Sequence, residues 1–223
     1  MSLEVLWRYA PALIGGFGVT VMCWSLGAAI GLAVGLALTL LNRLDFAPLR
    51  WLIRACVETI RGTPFLMQLF LLYAGGPFIG LKLSATAAGI IGLGAYSSAY
   101  FSEIFRAGFA SVPQGQTEAA VSVGMPPVHI FWRITLPTAL VATVPAIVNM
   151  LVILSKETVV LSIITVPELM YQMQTMAAET FTAFDAIFAM AIFYWLLVEA
   201  VSRVGRRLET RLTAYMSAEA SRA

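Results

Sequence analysis

Charge is scarce in this chain. Only 12% of its 223 residues are Asp, Glu, Lys or Arg, against roughly a quarter in an ordinary soluble domain. So few charges argue against a water-soluble globule, which needs polar groups to cover itself. Histidine occurs once, at His129, so no histidine-rich metal cluster or paired-histidine site can form. That lone side chain reads as a surface residue. Cysteine occurs twice, at Cys23 and Cys56, each flanked by apolar residues, which gives neither a disulfide framework nor a zinc spacing. Lysine also occurs only twice, at Lys82 and Lys156. Neither follows a glycine, so there is no phosphate-binding loop of the G-x-x-x-x-G-K-[ST] type. The G-x-S-x-G and H-E-x-x-H patterns of hydrolases are missing too, which leaves little support for a membrane enzyme. A net charge of +2 excludes a strongly basic nucleic-acid binder. What the chain does have is apolar bulk. It is 60% hydrophobic with a mean hydropathy of +0.85, which rules out a disordered tail and points to lipid as the solvent.

A membrane-spanning helix needs about 20 largely apolar residues. Charge-free stretches run over 9–41, 62–81, 83–102, 134–155 and 186–198. The last is short, but Glu199 can pair with Arg203 one turn on. The expectation is an all-α integral membrane protein, one domain over 1–223, with five spans near 14–41, 62–80, 85–106, 137–156 and 183–204. Glu4 and Arg8 make no basic leader, so the N-terminus does not read as a signal peptide. Five crossings put the termini on opposite sides. Of the 14 Lys and Arg residues, all but Arg8, Lys82 and Lys156 then share one side, which the positive-inside rule assigns to the cytoplasm. The N-terminus is expected outside and the C-terminus inside.

Residues 45–61 read as an amphipathic helix, with Arg50, Arg54, Glu58 and Arg61 on one face. It should lie on the inner membrane surface or extend the second span, and Gly62-Thr63-Pro64 should bend the chain into the bilayer. Gly27, Gly31 and Gly35 form a small-residue stripe for close helix packing.

The longest inner loop, 107–136, carries helix punctuation. Ser111 with Gln114 fits a capping box, and Pro113 fits the first turn. The helix should run through Glu118-Ala119-Ala120 to Val123. Gly124 suits the left-handed C-terminal position, and Pro126-Pro127 prevents continuation. A second short helix should run from Val128 to Leu136 and stop at Pro137. Ala119 and Ala120 would offer a flat face for docking into another protein, with Glu118 at its edge; a solvated connector is the alternative.

Glu118-Ala119-Ala120, three residues, Gly124, nine residues and Ile134-Thr135-Leu136-Pro137 resembles the EAA loop of ATP-binding-cassette (ABC) importer permeases. Four further stretches resemble the polar amino acid permease subfamily. They are Glu58 to Pro64 (ETIRGTP), Ser102 to Gly108 (SEIFRAG), Ser111 to Gln116 (SVPQGQ) and Val166 to Leu169 (VPEL). The likeness spans about residues 12–210. It departs at Lys156-Glu157-Thr158-Val159, where such permeases often show Lys-Asp-Thr-Ser, and at Met125-Pro126-Pro127, where the turn is usually poorer in proline. The resemblance implies a type I ABC importer permease in the bacterial inner membrane, carrying a polar amino acid or a related compound such as an opine. It implies two ABC ATPase subunits that bind the ATP, a second permease subunit, identical or sister, and an extracytoplasmic solute-binding protein. By the same likeness Glu118, Ala119, Ala120 and Gly124 form the ATPase contact, and this chain holds no cofactor of its own.

Candidates for the substrate path are polar groups inside expected spans: Gln68, Ser97, Ser98, Asn149 and Ser155, with Lys156 and Glu157 at the outer end of the fourth. For the uncharged ones, hydrogen bonding between helices is the competing role. For Lys156 and Glu157 it is a charge pair at the membrane edge. Glu103 and Arg106, one turn apart, read as a structural pair. The outer loop 157–179, with Pro167 and a Met-rich run, should hold a surface helix, which the resemblance places where the binding protein docks. A self-contained secondary transporter or channel is the rival reading. Such folds usually show two matching repeats, and none is visible here.

Overall fold

The chain from Tyr9 to Leu41 has no charge and only one proline, so nothing stops a long helix. In the computed structural model, which describes residues 3–181 and 183–220, α1 runs Leu3–Leu41 as one 39-residue rod. At ~1.5 Å per residue it is about 58 Å long. Beyond it come α2 (Ala47–Gly62), α3 (Phe65–Phe70), a π turn (Leu71–Gly75) and a 3-10 turn (Gly76–Ile79). Next are α4 (Ala85–Ala110), α5 (Gln114–Ser122), α6 (Pro127–Ile130), a second π turn (Phe131–Thr135) and α7 (Leu136–Glu157). A 3-10 segment (Thr158–Ile164), α8 (Leu169–Thr180) and α9 (Ala183–Ala220) complete the described residues, none of which is in a strand.

Helix α4 is the axis of the bundle, buried along most of its length and packed on α1, α2, α7 and the 3-10 segment. The α1–α4 seam is as close as the glycine stripe predicts. A Cβ on Gly27 would lie 2.7 Å from Leu93 Cβ, one on Gly31 2.0 Å from Ser97 Oγ, and one on Gly35 2.8 Å from Phe101 Cβ. At that separation polar groups cross the seam. The Ser97 hydroxyl donates to the Gly27 carbonyl at 3.3 Å, and the Thr39 hydroxyl donates to the Ser102 carbonyl at 2.9 Å.

The five expected spans are met only in part. Among the described residues, Trp7–Leu41, Pro127–Ile164 and Ala183–Thr210 are long and apolar enough to cross a membrane. A fourth is Ala47–Gly62 with Phe65–Ile79 if that pair, bent by 109°, is one span. The bend falls at Gly62-Thr63-Pro64 as expected, but the second crossing starts at Phe65 and is regular α-helix only to Phe70. The stretch at 85–106 does form a 26-residue helix, yet it lacks the apolarity of a lipid-facing span. Its glycines, serines and tyrosines pack against protein, and a helix sheathed by neighbours has no lipid to satisfy.

Two local expectations in the inner loop fail. Ser111 does not cap α5: its hydroxyl donates back to the Gly108 carbonyl at 2.8 Å, and Pro113 takes the cap position without a side-chain bond. Pro137 does not stop the second loop helix either. The π turn at Phe131–Thr135 passes directly into α7, where Pro137 sits in the first turn. A proline there withholds an N–H that the widened turn is already re-registering.

Candidate functional site

The inner loop projects α5 and α6 from the ends of α4 and α7. Gly124 terminates α5 with φ +77, donating to the Val121 carbonyl at 2.9 Å while Met125 donates to the Ala120 carbonyl at 3.1 Å. This is the two-bond glycine cap of a helix end, and it fixes the angle at which the chain leaves α5. Glu118 and Ala119 are exposed, but Ala120 is 4% exposed and faces inward, so the flat two-alanine face expected from the sequence is not presented outward. What the loop presents instead is apolar. Val121, Val123, Val128 and Trp132 are 64, 77, 65 and 61% exposed. Periodicity gave no sign of these residues, because exposed valines on so short a helix look like core positions. His129 is exposed, as expected.

Beside α5, Thr117, Val121, Ile130 and Phe131 line an open depression of about 510 Å³ together with Leu40 and Arg43 of the α1 end. A second, polar cavity of about 260 Å³ lies between α1, α2 and α4. Arg54, Arg61 and Arg106 line it together with Glu58 and Glu103. Glu103 accepts from Arg106 at 2.7 Å and lies 3.7 Å from Arg61, so the expected structural pair is a three-member cluster tying α2 to α4. Glu199 likewise pairs with Arg203 at 2.7 Å.

Among the described residues no hydrogen bond joins one proposed path residue to another. The Gln68 amide reaches the Ile60 carbonyl at 2.7 Å and the Thr63 carbonyl at 3.0 Å, closing the α2–α3 bend. Ser97 is fully buried in the α1–α4 seam. Ser98 and Ser155 are buried and donate to carbonyls in their own helices, those of Ala95 and Val152. Asn149 and Lys156 are exposed, and Glu157 is half-buried. No ion pair joins Lys156 to Glu157 in the described structure, consistent with adjacent helical residues pointing apart.

The outer segment holds a buried acid within the Val166 to Leu169 stretch. Glu168, the N-cap of α8, is fully buried. Its Oε1 accepts from the Tyr171 backbone N–H at 2.8 Å, and its Oε2 lies 3.2 Å from the Thr20 hydroxyl of α1. Thr20 in turn accepts from the Leu169 N–H at 3.1 Å. The Tyr194 hydroxyl of α9 reaches Glu168 and lies 3.0 Å from Thr158. The Met-rich run also turns inward: Met173 and Met176 pack with Leu13, Leu169, Ala186 and Ala189. Burial pushes the Glu168 carboxyl up to about 7, against the opposing hydrogen bonds from the α8 backbone and Thr20.

A raised folded-state carboxyl keeps its proton where the unfolded chain has released it. Stability is therefore greatest below the ordinary carboxylate range and falls as pH rises toward about 7, by on the order of 3 kcal/mol. Thermal unfolding of the detergent-solubilised protein at pH 5.5 and pH 8 should show the part of this loss that falls above pH 5.5, about 2 kcal/mol, and Glu168→Gln should remove it. An equal pH slope in the glutamine variant would refute the assignment.

The family described as binding-protein-dependent transport system inner membrane component matches residues 27–214. The arginine transport system permease protein ArtQ of Bacillus subtilis is 32% identical over 203 residues, covering 91% of this chain and 93% of that protein. The probable glutamine ABC transporter permease protein GlnM of Bacillus subtilis is 34% identical over 212 residues, covering 95% and 98%. Among solved structures, a chain from the crystal structure of an amino acid ABC transporter with histidines superposes with a TM-score of 0.89 at 31% identity, over 95% of this chain and 99% of that one. A helical bundle with several apolar spans, an exposed loop between α4 and α7 and matches over nearly its whole length: the chain belongs to the binding-protein-dependent transport system inner membrane component family.

Proposed function

We propose that the chain is the permease subunit of an ABC importer that carries a polar amino acid, or a related compound such as an opine, across the bacterial inner membrane. The observation that carries the reading is the exposed α5–α6 loop, with its Gly124 cap and apolar surface, in a chain of this family. The relatives named for arginine and glutamine transport support the substrate class. Five crossings put the N-terminus outside and the loop in the cytoplasm, with α4 as the protein-sheathed crossing.

In this mechanism two ABC ATPase subunits bind and hydrolyse the ATP. Glu118, Ala119 and Gly124 form the contact together with the exposed valines, while Ala120 seats α5 on its own subunit. ATP binds one arrangement of the ATPases more tightly than the other, and that difference is the free energy that drives the membrane helices between outward and inward openings. The path runs between this chain and a second permease, identical or sister, with Asn149, Lys156 and Glu157 as its candidates. Gln68, Ser97, Ser98 and Ser155 act instead in packing and bending. An extracytoplasmic binding protein delivers the solute at the α8 side.

Purification in mild detergent followed by mass spectrometry tests the class: an ATPase and a binding protein should be recovered with the chain. Transport in vesicles that lack any ATPase would instead establish a secondary transporter. Val123→Asp tests the surface itself. The exposed charge should leave the isolated chain's stability within about 0.5 kcal/mol. Buried without a partner at the contact, it should cut ATPase recovery by about tenfold. Undiminished recovery would remove Val123 from the contact.

A further inference from the structure

The inner end of α1 is fastened to the loop by a cation resting against two rings. Arg43 lies just past α1, in a turn held by its own N–H donating to the Leu40 carbonyl at 3.1 Å. Its guanidinium carbon sits 4.6 Å from the centre of the Phe109 ring and 5.8 Å from that of Phe131. The two rings are near-parallel, at 16°, with centres 6.1 Å apart, and Trp132 meets Phe131 edge-on at 5.4 Å. Phe109 belongs to the last turn of α4 and Phe131 opens the π turn that leads into α7. These are the two stems of the loop. Among the described residues no carboxylate pairs with Arg43. The nearby Arg50 is answered by Asp45 at 3.3 Å, and Glu103 is taken by Arg61 and Arg106. The ring faces are therefore its partners, the arrangement in which a planar guanidinium outperforms an ammonium.

We propose that Arg43 is a positioning residue for energy coupling, strapping α1 to both stems of the α5–α6 loop so that displacement of the loop is carried into α1. This rests on the permease reading above. It adds a residue outside the loop, in the turn that follows α1. The load has somewhere to go. Helix α1 is one unbroken rod, seated on α4 through the glycine seam and joined near its middle to α8 and α9 through Thr20, Glu168 and Tyr194. A rigid connection of that kind transmits displacement, whereas a loose inner end would let the loop swing while α1 stayed put.

The test uses the whole complex reconstituted in vesicles, with Arg43→Met, Arg43→Lys and the pair Phe109→Leu with Phe131→Leu. Arg43→Met keeps length and apolar stem but removes the cation. It should lower solute carried per ATP hydrolysed by about fivefold, with ATPase recovery and melting temperature unchanged. Arg43→Lys should restore part of that ratio, and the double leucine variant should match Arg43→Met without adding to it in combination. A ratio equal to wild type in both Arg43→Met and the double leucine variant would overturn the proposal. A fall in melting temperature and subunit recovery that parallels the fall in transport would also overturn it, by reducing Arg43 to a stabilising contact. Failure of the wild-type chain to recover any ATPase would instead sink the permease reading, and the coupling role with it.

Discussion

Gly124→Val leaves the permease inserted in the membrane and abolishes its association with the ATPase. The reason is conformational and not steric. A Cβ at position 124 would meet nothing within 4 Å, so no neighbour has to move. The obstacle is φ +77, in the left-handed region where an L side chain costs roughly 1–2 kcal/mol and a β-branched one more. The loop can escape that cost only by giving up the bonds from Gly124 to Val121 and from Met125 to Ala120, which set the angle between α5 and α6. Both segments carry the exposed valines, so the surface that fits the ATPase is broken in two. Gly124→Asn, which tolerates the left-handed region, should retain substantial transport and separates backbone geometry from side-chain bulk. Normal transport and normal co-purification in Gly124→Val would defeat the assignment.

Gly31→Ala has the largest expected effect on stability. Here the neighbours do matter. The added Cβ would lie 2.0 Å from Ser97 Oγ, 2.8 Å from Ser97 Cβ and 3.2 Å from a Phe101 ring carbon. The hydroxyl can rotate away but Ser97 Cβ cannot, so α1 must be pushed off α4. That breaks the seam on which the bundle is built, at a cost of about 3 kcal/mol, and disturbs the Ser97 and Thr39 bonds across it. A drop in melting temperature of about 10 °C is expected from that cost. Pairing the substitution with Ser97→Gly removes both close atoms and should recover most of the loss. A single variant as stable as wild type would mean that the helices stand further apart than described.

What the sequence made legible was local. Gly124 at a left-handed helix end, the Gly27, Gly31 and Gly35 stripe, the Glu103–Arg106 pair and the bend at Gly62-Thr63-Pro64 all depend on residues within one or two turns of each other. Each is found as expected. Less was legible where the partner is a backbone group or lies far away in the sequence. The burial of Glu168 could not be read locally, because nothing near it announces Thr20, 148 positions away. Gln68, Ser97 and Ser155 stand out in the sequence as polar groups in apolar runs, but what they bond to does not. Their acceptors are backbone carbonyls, which no pattern of side chains reveals. Ala120 could not be told from Ala119 without knowing which side of α5 faces home. The third expected span, 85–106, was read from missing charge alone, whereas α4 is polar enough that protein, not lipid, must surround it. Arg43 drew no notice beyond its sign, because the rings that hold it come from two other helical segments.

The central claim is that residues 107–136 form a cytosolic handle gripped by an ATPase. A cysteine at position 116, where Gln116 is exposed on α5, tests it once Cys23 and Cys56 have been replaced. A membrane-impermeant maleimide should label it in inverted vesicles and leave it untouched in intact cells. Labelling in intact cells would put the loop on the outer face, beyond the reach of any ATPase, and contradict the account.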